Sequence, residues 1–176
     1  GESIIGKDRR KQYLAHGSAP GVLSAARGLP MSELTTTVST VLKLKAREIW
    51  TTTPDASVYE AIVIMAEKQV GALFVMEHGA LVGIISERDY ARKVILQERS
   101  SRETTVREIM TSPVISVSLQ HTVGECMRIV TDHRIRHLPG EDHGKVVGMV
   151  SIGDLVNSAI SEQEARIRHL EAYISQ

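Results

Sequence analysis

A displacement of 65 residues lays the second half of this chain on the first. Val58, Glu60, Ile64, Leu73, His78, Gly79, Val82, Gly83, Ser86 and Asp89 fall on Val123, Glu125, Ile129, Leu138, His143, Gly144, Val147, Gly148, Ser151 and Asp154. One supersecondary unit is therefore written twice. Self-similar units of this size do not bury their apolar faces alone and pack against one another. The expectation is one two-unit module with two related sites, which 176 residues accommodate.

Each unit reads in the same order. A short helical turn (Val38 to Leu42, then Val106 to Met110) precedes a β-branched strand (Ile49 to Thr53, then Val114 to Ser118). In the first unit Pro54-Asp55-Ala56-Ser57 opens a helix on which Val58, Ala61, Ile62, Met65 and Ala66 share one face; Val123, Cys126, Met127 and Val130 do the same in the second. Two strands around a tight turn follow: Ala72 to Met76 and Leu81 to Ser86 about His78-Gly79, then His137 to Leu138 and Val146 to Ser151 about His143-Gly144. A closing helix begins at Asp89 and again at Asp154. The fold class is α/β (α+β), β-α-β-β-α twice, with a C-terminal helix. The expected divisions are repeat one at 32–97, a linker at 98–105, repeat two at 106–160 and an amphipathic helix at 161–176. Residues 1–31 carry five basic side chains against two acidic ones. They read as a flexible basic tail or an expression leftover ahead of Met31.

Charge removes several function classes. Lys plus Arg equals Asp plus Glu at 21 each, so there is no global basic field to drive binding to nucleic acid or to a membrane surface. The single cysteine, Cys126, excludes an internal disulfide framework and a cysteine zinc cluster. No apolar run reaches a membrane-spanning length. The location expected is cytoplasmic, or organellar if the basic tail is native. His133 and His137 have the four-residue spacing of a helical metal pair, but the repeat places His137 in a strand, so no metal site is expected. Ser86 and Ser151 lack a local histidine base and a Gly-x-Ser-x-Gly elbow, so no catalysis is expected.

The chemistry concentrates in Gly83-Ile84-Ile85-Ser86-Glu87-Arg88-Asp89 and Gly148-Met149-Val150-Ser151-Ile152-Gly153-Asp154. Both follow the pattern Gly, two apolar residues, Ser, two variable residues, Asp, where the chain leaves a strand and enters a helix. Such a junction offers backbone amides and a hydroxyl suited to a phosphate, and an aspartate able to accept both hydroxyls of a ribose. Capping of the helix by the same Ser and Asp needs no ligand, and either reading fits one copy taken alone.

Two copies of the junction inside a β-α-β-β-α repeat, with the Ile135-Arg136-His137-Leu138-Pro139 strand, resemble the tandem cystathionine-β-synthase (CBS) domain pair over residues 38–159. The resemblance implies two units packed sheet to sheet, with clefts that take adenosine-containing ligands such as AMP, ADP, ATP, NAD(H) or S-adenosylmethionine. Carried over residue by residue, it makes Asp89 and Asp154 partners of ribose hydroxyls and turns Ser86 and Ser151 toward ribose or phosphate. Adenine would lie on the first strands, at Ile49, Trp50 and Thr51 and at Val114, Ile115 and Ser116. Gly71, Ala72, Ile85, Pro139 and Val150 complete the implied set, and Trp50 serves either to stack on a base or to fill the core.

The repeats differ where phosphates would sit. Arg134, Arg136 and His137 of repeat two stand where repeat one has Gln69, Gly71 and Ala72, while repeat one alone has Glu87-Arg88 in its junction. Arg88 from one unit and Arg136 with His137 from the other are expected to converge on one anionic group, so the Asp89 cleft is the better site. Ile160, Ile167 and Ile174, with Gln163 and Leu170 between them, form a coiled-coil-like stripe that predicts a homodimer or packing back onto the module. The expected function is a regulatory adenine-nucleotide sensor without catalytic cofactor, acting in trans on an unidentified protein. The alternative is a dimeric scaffold stabilised by its nucleotide.

Overall fold

A computed structural model describes residues 33–45 and 49–175; the expectations for the basic tail at 1–31 lie outside the described residues. Helix α1 (Val38–Leu44) leads into β1 (Thr51–Thr52), α2 (Val58–Lys68), β2 (Ala72–Glu77), β3 (Ala80–Ser86) and α3 (Glu87–Lys93). After a 3-10 turn at Ile95–Gln97 the order recurs as α4 (Val106–Ile109), β4 (Val117–Ser118), α5 (Val123–Asp132), β5 (His137–Asp142), β6 (Lys145–Ser151) and the long α6 (Ile152–Ile174). Two three-stranded sheets result, ordered β1-β2-β3 and β4-β5-β6, each with one parallel and one antiparallel pair. Among the described residues no helix is long and apolar enough to cross a membrane.

Local chemistry sets the boundaries. The hairpins turn on His78-Gly79 and His143-Gly144, all four with φ between 48° and 82°, the left-handed pair that a two-residue hairpin demands. Five helices open with reciprocal caps, Ser57 with Glu60, Ser86 with Asp89, Thr105 with Glu108, Thr122 with Glu125 and Ser151 with Asp154. In each the hydroxyl accepts the amide three residues on and the carboxylate accepts the cap residue's own amide.

Both first strands are shorter than their β-branched runs, Ile49 to Thr53 and Val114 to Ser118, predict. Ahead of β4 the chain is held elsewhere: Thr111 and Ile84 exchange both backbone hydrogen bonds, at 2.8 and 3.1 Å, across an isolated bridge. Strand β5, in contrast, runs well past the His137 to Leu138 expected for it. Pro139 is tolerated because β4 pairs with β5 only from Gly140 onward, so at Pro139 the strand has a neighbour on one side alone.

The two units trade their leading helices. Val38, Val41 and Leu42 of α1 lie in one core with Val117, Val123, Cys126, Val130, Leu138, Val150 and Leu155 of repeat two. Val106 and Ile109 of α4 lie in the other with Val58, Ala61, Met65, Leu73, Val75 and Ile85 of repeat one. The backbone repeats the trade: Val38 N donates to His121 O and Val123 N to Thr36 O (2.8 and 2.7 Å), and Val106 N to Ala56 O and Val58 N to Thr104 O (both 2.9 Å). Glycines make room for the incoming side chains. A Cβ at Gly148 would stand 2.8 Å from Leu42 Cδ2, and one at Gly140 2.9 Å from Leu42 Cδ1; at Gly83 it would meet Met110.

Candidate functional site

Strand β3 delivers Ser86 to the start of α3, and the cap that forms there fixes Asp89. Its Oδ2 accepts hydrogen bonds from Ser86 N (3.0 Å) and Ser86 Oγ (2.7 Å), while Oδ1 pairs with Lys93 Nζ at 2.9 Å and accepts from Thr111 Oγ1 at 3.4 Å. Capping, one of the two roles open to this Ser and Asp, is thus present in the structure. Beside them lies an open cleft of about 690 Å³, within the span of small-molecule sites.

The cleft is built from both repeats. Ile84, Ser86, Arg88 and Asp89 form one wall; the other carries Val114 and Ile115, placed by the Thr111 bridge, and the 133–137 segment leading into β5. Arg88 Nη1 donates to the Arg134 carbonyl at 2.9 Å and ties the walls together. Gly71 lies where they meet: a Cβ there would be 3.4 Å from His137 Nε2 and 3.5 Å from Glu87 Oε2.

Of the residues singled out in the sequence, Gly71, Ser86, Arg88, Asp89, Val114, Ile115, Arg136 and His137 line this one cleft. Ile49, Trp50, Thr51, Ala72, Ile85, Ser116, Pro139, Val150, Ser151 and Asp154 do not. Ala72, Ile85, Pro139 and Val150 are buried in the sheets. Trp50 packs against the repeat-one core with Lys68 Nζ 4.3 Å from its ring centroid, and its indole nitrogen is buried without a hydrogen-bond partner. Ser151 and Asp154 repeat the cap geometry, with Ser151 N donating to Asp154 Oδ2 at 2.7 Å. Lys45 Nζ lies 2.9 Å from the same oxygen.

Sequence reasoning passed over Arg92, Lys93 and Thr111, which also line the cleft, together with Arg134 and with His133, weighed in the sequence only as a metal ligand. Arg92 and Lys93 follow Asp89 at i+3 and i+4, a spacing that puts all three on one helical face. Thr111 carries no such signal, because only the bridge to Ile84 brings it there.

His137 stands between the two aspartates in electrostatic terms. Burial first, then Lys45 and Arg136, lower its imidazole below the ordinary value and favour the neutral ring, with Asp154 and Asp89 pulling the other way. At Asp154 burial pushes the carboxyl up, but the Ser151 amide and Lys45 outweigh it and hold the group below the usual range. Among the described residues no group of three or more His, Cys, Asp or Glu side chains is placed to hold a metal ion.

Comparison with known proteins agrees with this architecture. The family model for the CBS domain matches residues 35–95 and 106–161. The Arabidopsis thaliana protein named CBS domain-containing protein CBSX3, mitochondrial, is 44% identical over 149 residues, covering 79% of this chain and 72% of its own length. YhcV of Bacillus subtilis, also named a CBS domain-containing protein, is 30% identical over 128 residues, 73% of this chain and 91% of its own. Among solved structures, a putative signal-transduction protein with CBS domains from Burkholderia ambifaria superposes with a TM-score of 0.70 at 53% identity, over 73% of this chain and 96% of that one. The CBS domain pair of protein MJ0100, solved with 5'-methylthioadenosine and S-adenosyl-L-methionine, gives 0.63 at 28% identity over 73% and 98%. With two matched segments that together span most of the described residues, and the two-sheet fold they predict, this chain belongs to the CBS-domain family as a tandem CBS pair.

Proposed function

We propose that this chain is a regulatory module that binds an adenosine-containing ligand in the Asp89 cleft and passes its occupancy to a partner protein in trans. The observation that carries the reading is the cleft itself: a carboxylate held by Ser86 is brought together with apolar Val114 and Ile115 and with basic Arg88 and Arg136, from both repeats. An aspartate suits ribose hydroxyls, the apolar pair suits a purine face, and the arginines suit phosphate. The ligands seen with MJ0100 are adenosine compounds, in keeping with this. A ligand spanning both walls favours one spacing of the repeats over another, and only that differential affinity is available for signalling. Nothing in the arrangement calls for catalysis, and the module is read as a sensor without enzymatic activity.

The test is isothermal titration of AMP, ADP, ATP, NADH and S-adenosylmethionine into wild type and Asp89→Asn, a substitution that keeps one acceptor for the cap. Micromolar binding of at least one ligand, weakened tenfold or more in the variant, is expected. Equal binding by the two proteins would move the site away from Asp89.

A second reading, a dimeric scaffold, has its own observation. Ile160, Ile167, Leu170 and Ile174 are all more than half exposed along α6, in the heptad pattern of a two-helix seam. A scaffold would be saturated with nucleotide throughout the cellular range, whereas a sensor changes its partner affinity across it.

A further inference from the structure

The charges lining the cleft are unequal. Arg88, Arg92, Lys93, Arg134 and Arg136 line it against only Glu87 and Asp89. Lys93 and Asp89 neutralise each other at 2.9 Å. Among the described residues none of the four arginines has a carboxylate ion-pair partner. Arg88 is held by the Arg134 carbonyl, which spends one of its donors and leaves its charge uncompensated. Four guanidinium groups around one cavity repel one another, and a multivalent anion relieves that repulsion more fully than a monovalent one.

Geometry sharpens the demand. Arg88 and Arg92 are one helical turn apart on α3, in the first repeat; Arg134 and Arg136 are two residues apart on the opposite wall, in the second. A guanidinium engages phosphate through two oxygens at once. The three terminal oxygens of a monophosphate ester are too few to give four guanidinium groups separate bidentate contacts. A chain of two phosphoryl groups can present oxygens to both walls.

Resting on the reading of the cleft as an adenosine site, we infer that its ligand carries at least two linked phosphoryl groups, as in a nucleoside diphosphate, a triphosphate or a pyrophosphate-linked dinucleotide. Arg92, which the repeat comparison does not name, and Arg134, which it names but leaves out of the Arg88, Arg136 and His137 set, are the residues that select it over monophosphates and over phosphate-free sulfonium or thioether adenosines. Arg92 and Arg134 are both exposed, so their substitution leaves the cores intact.

The experiment is titration of AMP, ADP, ATP, NADH, S-adenosylmethionine and inorganic tripolyphosphate into the full chain and into the Arg92→Gln/Arg134→Gln double variant, with thermal melts to show that both fold. In wild type, ADP, ATP and NADH should bind at least about tenfold more tightly than AMP, with S-adenosylmethionine weakest, a margin in keeping with the strength of one charge-assisted contact. The double variant should erase most of that margin while changing AMP affinity less than about threefold. Equal AMP and ADP affinities in wild type, or equal loss of both in the variant, would overturn the inference and leave the adenosine reading standing. Binding of tripolyphosphate with no adenosine ligand bound would support the arginine selection and overturn the adenosine reading; no binding of any probe would overturn both.

Discussion

Leu42 explains why position 148 holds glycine. In the sequence Gly148 reads as the first residue of a ligand motif, matched by Gly83 one repeat earlier, but in the fold each makes room for a side chain arriving with the traded helices. Replacing Gly148 by Ala puts a methyl 2.8 Å from Leu42 Cδ2 and 3.2 Å from Cδ1, and overpacking of this kind costs about 1–3 kcal/mol. The cost should vanish in a Leu42→Ala background, since the pair is coupled; chemical denaturation of the four proteins of the cycle measures it. Glu162 is a second residue whose role only the fold reveals. Burial pushes its carboxyl up, yet hydrogen bonds from the amides and hydroxyls of Thr35 and Thr36, at 2.7 to 3.1 Å, outweigh that and pull it down to about 2. A depressed carboxyl adds stability that is complete above its ordinary value of 4.5 and is lost as pH falls through about 2. Glu162→Gln should therefore lower stability by about 1–2 kcal/mol at pH 7, and the gap between the two proteins should close as pH drops from 4.5 toward 2.

At the scale of elements, the caps were the most legible feature. The Ser57-x-x-Glu60, Ser86-x-x-Asp89, Thr122-x-x-Glu125 and Ser151-x-x-Asp154 runs each open a helix, because the signal is local and needs no partner from elsewhere, whereas Ser161-x-x-Glu164 falls inside α6. Thr122→Ala removes the hydroxyl that accepts from Glu125 N at 3.2 Å and should cost about 1 kcal/mol, a fall of about 2–4 °C in Tm. The strand ends were the least legible. Val114 and Ile115 are β-branched and read as strand, but the Thr111 bridge, formed with a residue 27 positions earlier, commits them to the cleft wall. Helix α6 combines both situations. Its periodicity was plain, but the sequence left two places for the stripe, and the described residues show a division of faces: Leu155, Glu162 and Arg166 hold the helix to the module while the isoleucine stripe stays exposed. If that stripe joins two copies, Ile167→Glu with Ile174→Glu should halve the mass seen by light scattering while the protein keeps a cooperative melt, and the wild-type Tm alone should rise with protein concentration. An unchanged mass would place any dimer contact elsewhere.

For the molecule as a whole, the duplication announced two packed units but concealed which helix belongs to which core. Periodicity places α1 first in repeat one, whereas its apolar face is complementary to a surface assembled from residues 117–155; no pattern within a single segment records a partner so distant. Each leading helix buries two or three aliphatic side chains, at about 1.5–3 kcal/mol apiece, in the opposite unit. Neither unit is then complete alone. Separate chains of residues 1–97 and 98–176 should each lack a cooperative melt, and their mixture should recover one near the intact protein's Tm, as calorimetry can determine. Two independent transitions in the intact chain would argue against the coupling. The same coupling gives the Asp89 cleft, walled by both units, a route to the global stability of the fold.

The trade of helices also fixes an order of events during synthesis. Repeat one has all of its core once Ile109 has been made, but α1, translated before either sheet, has no seat until Val150 and Leu155 follow. At ~5–20 residues per second this leaves Val38, Val41 and Leu42 uncovered on the ribosome for on the order of ten seconds. Any polypeptide cut short before Leu155 carries that greasy turn permanently bare, beside a first unit that has already closed, and quality control has a ready mark by which to tell an unfinished copy from a finished one.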